Sequence, residues 1–257
     1  MSEESVYLVG ALAVEAVLRG GQRAVRGVFV DEGLDWRKVE PVRRAAKEIG
    51  LEIQWVGRVA LDEMVGDGKH GGVVAAVGPR RFRTLEELLA GTGSERTFLV
   101  MLDGVEDPYN FGQALRSLWA AGCHGVVVRP RNWSAPGSGA EAVVARASAG
   151  ASEWMPMAIA ETPEVAVEYF RGRNVRCLAM TEGEEAVAID EAGLGGAVFV
   201  VVGGEKRGIK RGVLELVEGC VAVPYGRAFG ASLGTVAAVS VLGFEVRRQR
   251  EVVGGRR

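Results

Sequence analysis

The chain has 257 residues, with 31 basic and 33 acidic side chains and a formal net charge of −2. It is no polycation, so any contact with nucleic acid must run through a local patch. Hydrophobic residues make up 48% and charged residues 25%, the balance of an ordinary globular protein of one large or two ordinary domains. No apolar run is long enough to span a bilayer. Met1–Gly10 lacks the basic start of a signal peptide, which points to the cytoplasm. The basic set is mostly arginine, which suits phosphate and base recognition. Cys123, Cys177 and Cys220 are far apart and odd in number, neither a disulfide framework nor a zinc spacing.

Residues 1–78 read as a small α/β domain. A helix over 11–18 stops at Gly20-Gly21, and strands are expected at 28–30, 53–56 and 73–77. Between them lie a helix over 36–49, ended by Gly50, and a helical turn over 59–65. Arginines punctuate this segment, at helix ends and on polar faces. His70, beside Gly71 and Gly72, reads as a turn residue. Residues 79–96 form a basic linker, with a capping box from Thr84 to Glu87 and Gly91 at the helix end. Residues 97–257 repeat strand and helix. Strands are expected at 98–102, 126–128, 175–180, 198–202 and 221–223. Helices are expected at 110–121, 141–147, from Pro163 to about 170, and from about Ser232 to Arg250. This is the pattern of a parallel sheet.

Three turns at strand ends carry the candidate chemistry. The first runs from Leu102 to Ser117 and holds Asp103-Gly104, then Asp107-Pro108-Tyr109-Asn110-Phe111-Gly112, then Arg116. Here Asn110 either caps a helix or faces a ligand. The second is Gly203-Gly204-Glu205-Lys206-Arg207-Gly208. It lacks the dinucleotide spacing, but its glycines permit close backbone approach to a ligand. The third joins Val223-Pro224-Tyr225 to Ser232-Leu233-Gly234-Thr235. Backbone groups around Val223 and Leu233 suit an adenine edge, and Ser232 reads as the cap of the last helix. Gly137-Ser138-Gly139-Ala140-Glu141-Ala142 matches a dinucleotide fingerprint by letters alone. It follows a loop rather than a strand and has no well-placed acid after it.

In order and spacing these three turns resemble the SpoU (TrmH) family of RNA ribose 2′-O-methyltransferases. The segment Ala147-Ser148-Ala149-Gly150-Ala151 and the ending Arg248-Gln249 resemble family features as well. Residues 1–78, with Gly10 and His70-Gly71, resemble the ribosomal-protein-L30e-like RNA-binding domain that some members carry. The resemblance implies an α/β architecture: a C-terminal SPOUT domain with a parallel sheet and a deep trefoil knot, beside the small N-terminal domain. It implies S-adenosylmethionine held mainly by backbone at Gly203, Gly204, Gly208, Val223, Pro224, Ser232 and Leu233, with no metal. It also implies a homodimer and an RNA substrate, ribosomal rather than transfer RNA.

The same resemblance gives Arg116 a central catalytic role, with Asn110 and Glu205 beside it. Arginine stays protonated at neutral pH. We therefore read Arg116 as a clamp on the target phosphate that stabilises the developing alkoxide, with Glu205 orienting Arg116 or the RNA. One position departs from the family. Gly234 stands where members usually carry Asn, and the alternative it motivates is an RNA-binding or ribosome-assembly protein that kept the fold and lost the chemistry.

Overall fold

The computed structural model describes residues 6–66, 69–93, 96–130, 140–183, 185–204 and 208–253. In chain order the elements are β1 (Val6–Val9), α1 (Ala11–Gly20), β2 (Val25–Asp31), α2 (Glu40–Glu48), β3 (Ile53–Val56), α3 (Arg58–Val65), β4 (Val73–Val77), α4 (Leu85–Ala90), β5 (Phe98–Asp103), α5 (Pro108–Ala121) and β6 (Gly125–Val128). There follow α6 (Ala140–Ala147), α7 (Ala151–Trp154), β7 (Met157–Ile159), α8 (Pro163–Arg171), β8 (Arg176–Met180), β9 (Ala186–Ala188), β10 (Val198–Gly203), α9 (Arg211–Leu214), β11 (Cys220–Ala222) and α10 (Thr235–Val253). They form two compact units, one from the described residues of 6–81 and 140–155, the other from those of 82–130 and 156–253.

The first unit is built on a mixed sheet of order β1-β4-β2-β3. β4 runs antiparallel to both its neighbours, and β2 and β3 are parallel. Every residue of β4 is buried, as its uninterrupted apolar sequence requires of a central strand. α1 ends at Gly21 in the left-handed region, φ +64°, where a side chain would be strained. The expected helix over 36–49 starts as a 3-10 turn (Trp36–Val39) before α2. His70 is buried. Its Nδ1 accepts from the Gly72 N–H at 3.1 Å, which leaves Nε2–H to donate to Asp62 Oδ1 at 3.1 Å. It is a turn residue with both ring nitrogens used.

Residues 140–155 pack with this first unit, whereas the sequence reading runs the second domain unbroken from residue 97. The physical reason is a buried charge cluster. Arg23 pairs with Glu141 and, at 2.9 Å, with Glu153; Arg80 pairs with Glu153 and donates to the Ser152 carbonyl at 3.0 Å. The Arg23, Arg80 and Glu153 side chains are each 1% exposed. Four charges of balanced sign satisfy one another where water cannot. Gly150 sits beside them at φ +85°, and a Cβ there would stand 2.7 Å from the Leu12 carbonyl oxygen and from Ala16 Cβ on α1. The glycine lets α6 and α7 close onto α1.

The second unit is a seven-stranded sheet of order β7-β6-β5-β10-β8-β11-β9, parallel throughout. All of β5 and all but the last residue of β10 are buried, so the centre of the sheet is covered on both faces. The chain lays down β5, β6 and β7 outward on one side and returns to place β8 and β9. It then inserts β10 between β5 and β8, and β11 between β8 and β9. α10 packs on α5 at close range. A Cβ at Gly243 would lie 2.8 Å from Ala121 Cβ, and Ser240 Oγ meets Ser117 Oγ at 2.8 Å. The end of α10 is tied down: Gln249 Nε2 donates to the Ile189 carbonyl at 3.1 Å, and Arg250 donates to the carbonyls of Thr97 at 3.0 Å and Gly196 at 2.9 Å.

Several expectations shift. α5 begins at Pro108 rather than Asn110, because the Asp107 carboxylate accepts from the Asn110 N–H at 2.8 Å and is the cap. α10 begins at Thr235, so Ser232 is not its cap; it stands in the turn before the helix. The capping box at Thr84 and Glu87 forms with both of its hydrogen bonds. The short elements β1, α7, β7, β9 and α9, of three or four residues each, are not expected from the sequence. Gly137, Ser138 and Gly139 of the dinucleotide-like stretch lie outside the described residues.

Replacing Glu153 by Gln is expected to destabilise the protein by about 3–5 kcal/mol in urea denaturation, because it leaves two buried guanidinium groups short of their counter-charge. Burial works to raise the Glu153 carboxyl, but Arg80 and Arg23 outweigh it and hold the group below the ordinary value of 4.5. Its stabilising contribution is therefore present above that value and lost as pH falls through the lower folded one. Denaturation midpoints across the acid range, compared between wild type and E153Q, measure this: the wild type loses stability on acidification and the variant loses less.

Candidate functional site

Because the sheet of the second unit is parallel, all its carboxyl ends share one edge, and open α/β sheets bind ligands there. A cavity of about 300 Å³ lies at that edge. Its walls come from the end of β8 (Met180, Thr181, Glu182), the end of β10 with the turn that follows (Val202, Gly203, Gly204, Gly208, Ile209), β11 and its exit (Val221, Ala222, Val223, Tyr225), and the approach to α10 (Ser232, Leu233, Thr235, Ala238). Of the residues expected to hold a ligand, Gly203, Gly204, Gly208, Val223, Ser232 and Leu233 line it; Pro224 lies between two lining residues. Glu205 lies outside the described residues.

The second turn needs its glycines for backbone packing. A Cβ at Gly203 would fall 2.6 Å from the Gly208 carbonyl carbon, and one at Gly204 would fall 2.2 Å from the Gly104 carbonyl oxygen. Gly208 holds φ +56° and donates its N–H to the Gly204 carbonyl at 3.1 Å, closing the turn. The Gly104 contact has a further consequence. β5 and β10 pair with Asp103 opposite Gly203, so the first turn lies directly beside the second. Asn110 and Arg116 ride on α5 just beyond and do not line the cavity. Arg116 is exposed and, among the described residues, has no ion-pair or hydrogen-bond partner.

Of the lining side chains, Glu182 is not singled out by the sequence reading, and Tyr225 is named in the third turn without a role. Tyr225 Oη donates to Glu182 Oε1 at 2.8 Å and accepts from the Leu233 N–H at 2.9 Å. It thereby joins the end of β8 to the approach to α10. The bond to Glu182, aided by burial, pushes the phenol above its ordinary pKa and keeps it protonated. The signal was available: residues 175–180 read as a strand of the same sheet, so Thr181-Glu182 had to fall at the same edge. Cys123 and Cys177 are pushed up to about 12 by burial and stay as unreactive thiols. Among the described residues no cluster of His, Cys, Asp or Glu is arranged to hold a metal ion.

Comparison with known proteins agrees with this geometry. Residues 97–244 match the model of the SpoU rRNA methylase family. The chain belongs to the SpoU rRNA methylase family. Residues 7–83 match a second model, that of the RNA 2′-O ribose methyltransferase substrate-binding region. Similar curated proteins include the 23S rRNA (guanosine-2′-O-)-methyltransferase RlmB of Shewanella oneidensis, 32% identical over 95% of this chain and 97% of the relative. Another is the putative TrmH family tRNA/rRNA methyltransferase YacO of Bacillus subtilis, 31% identical over 99% of this chain and 100% of the relative. Solved structures share the fold. The SpoU methyltransferase AviRb from Streptomyces viridochromogenes superposes with a TM-score of 0.77 at 19% identity, over 97% of this chain and 91% of that one. The AdoMet-bound rRNA methyltransferase from Sinorhizobium meliloti gives 0.75 at 21% identity, over 95% and 87%.

Within this SpoU protein Gly234 has a defined setting. It is exposed, sits between the lining residues Leu233 and Thr235, and a Cβ built on it meets nothing within 4 Å. A side chain is absent there, but the room for one is present. The opposite holds at Gly204. Gly204→Ala is expected to force the first and second turns apart, lowering stability by about 1–3 kcal/mol as overpacking does; thermal denaturation of the variant against wild type measures it.

Proposed function

We propose that this protein transfers a methyl group from S-adenosylmethionine to a ribose 2′-hydroxyl of ribosomal RNA, with a guanosine of 23S rRNA as the target. The observation that carries the reading is the cavity at the carboxyl edge, with the first turn held against the second by the Gly104–Gly204 contact. Family membership and the printed activity of the RlmB relatives support the reaction class. The match over residues 7–83 supports an RNA-gripping role for the first domain, read as residues 1–78, joined by 79–96 to the methyltransferase domain at 97–257.

The lining suits the donor. A cavity of about 300 Å³ is at the small end of the range for small-molecule sites. Backbone at Gly203, Gly204, Gly208, Val223, Pro224, Ser232 and Leu233 would hold the donor, with apolar walls from Val202, Ile209 and Val221. When bound, the donor supplies an electrophilic methyl on a sulfonium. The protein's task is then to bring the 2′-oxygen to about 3 Å from that carbon, in line with sulfur. Arg116, exposed on α5, is suited to clamp the phosphate beside the target ribose and to stabilise charge developing on the 2′-oxygen. Asn110 belongs to the same helix start, and Glu205 would orient Arg116 or the RNA.

Sheet order supports the knotted topology that the SPOUT resemblance implies. β10 and β11 each enter between strands placed before them, the strand placement a chain passing back through its own earlier turns requires. A homodimer is supported by the outer faces of α5 and α10, which leave Trp119, Val241 and Phe244 exposed on helices that pack together. Such a patch fits self-association across a two-fold axis. Phe244→Asp is expected to shift the protein from dimer to monomer in analytical ultracentrifugation.

Methyl transfer to 23S rRNA transcripts, with the modified nucleotide mapped, tests the function. Arg116→Ala is expected to lower turnover by about 10²–10³-fold, the usual effect of deleting one preorganised donor; near-normal turnover removes Arg116 from the mechanism. The second reading, a fold that lost its chemistry, rests on Gly234. It predicts no transfer by the wild type, and gain of transfer in Gly234→Asn, for which the space exists.

A further inference from the structure

Among the described residues that line the cavity, Glu182 carries the one formal charge. The rest are backbone, apolar and neutral polar groups. Its carboxylate has no cationic partner among the described residues; the hydrogen bond that orients it comes from the neutral Tyr225 hydroxyl at 2.8 Å. The direction of that bond is fixed. The Leu233 N–H can only donate, so the hydroxyl accepts from it at 2.9 Å and sends its own proton to Glu182. Tyr225 therefore does two things: it holds the approach to α10 against the end of β8, and it aims a negative charge at the edge of a cavity whose other described lining residues are uncharged. An anion with no cationic partner among the described residues, beside such a cavity, favours a cationic occupant over a neutral one of the same shape.

We propose that Glu182, positioned by Tyr225, is a specificity-determining residue that makes the cavity prefer the charged sulfonium donor to the neutral sulfide left once the methyl is gone. The proposal rests on the methyl-donor reading above and adds to it a reason for product to leave. The donor and the sulfide share adenine, ribose, amino and carboxylate groups and differ by one methyl and one positive charge. Contacts to the shared groups hold both ligands equally, and only a group that responds to the methyl or to the charge separates them; a carboxylate responds to the charge. Glu182 is exposed at the cavity's edge, so its interaction is partly screened and its effect is modest.

Isothermal titration of the full-length protein with S-adenosylmethionine and with S-adenosylhomocysteine tests this. The wild type is expected to bind the sulfonium more tightly. Glu182→Gln, on an exposed residue that the fold tolerates, is expected to weaken S-adenosylmethionine about fivefold while leaving S-adenosylhomocysteine nearly unchanged, the scale of one screened charge pair. Tyr225→Phe, which keeps the ring and deletes the clasp, is expected to weaken both ligands and to lose part of the preference. An unchanged ratio of the two affinities in E182Q overturns the proposal while leaving the donor site intact. Equal weakening of both ligands in E182Q also overturns it, since the carboxylate then serves the shared amino group. Unchanged affinities in Y225F overturn the positioning role of Tyr225. If the wild type binds neither ligand, the donor-site reading falls first and this proposal falls with it.

Discussion

The pairing of β10 with β5 is the constraint on which the site depends. These strands are separated by about a hundred residues of chain, yet their register sets Asp103 opposite Gly203. Beyond the last pair the backbones approach so closely that only glycine fits at position 204. One contact thus fixes where the first and second turns begin and which edge of the sheet gathers them. The walls from β8 and β11 follow, because both run parallel to β10 or to its neighbour. Shifting β10 by one residue would exchange its buried faces and separate Gly104 from Gly204.

The first unit solves a different problem. A small mixed sheet has limited apolar surface to bury, and here it recruits α6 and α7 from a distant part of the chain. The recruitment uses charge as well as packing. Among the described residues Arg23 and Arg80 have no other acidic partners, and without Glu141 and Glu153 they would be buried and uncompensated. Such a cluster costs desolvation and returns specificity of docking rather than much net stability.

Turns at the strand ends wall the cavity of the second unit, and a few side chains shape it further. Gly203, Gly204 and Gly208 shape a loop whose described ends are backbone. Tyr225 ties the third turn to the end of β8, and Glu182 is the charged residue among the described ones that line the cavity. The helix pair α5–α10 carries Arg116 on one member and Thr235, at the start of the other, on the cavity wall. Close packing of small residues, Ser117, Ala121, Ser240 and Gly243, keeps those helices in step.

The sequence by itself determined the strand–helix alternation, the buried parallel sheet, the linker's capping box and the three turns, since each rests on local periodicity, glycine and capping chemistry. It misassigned the start of α5, where Asp107 rather than Asn110 is the cap, and the start of α10, because neighbouring polar residues compete for the same orphan N–H groups. It could not reveal the attachment of residues 140–155 to the first unit, the insertion of β10 and β11 between earlier strands, or the Tyr225–Glu182 clasp. Those depend on which distant segments meet. Only the tertiary structure decided that, through contacts such as Arg23 with Glu153 and Gly104 with Gly204, whose partners carry no mark of each other in the chain.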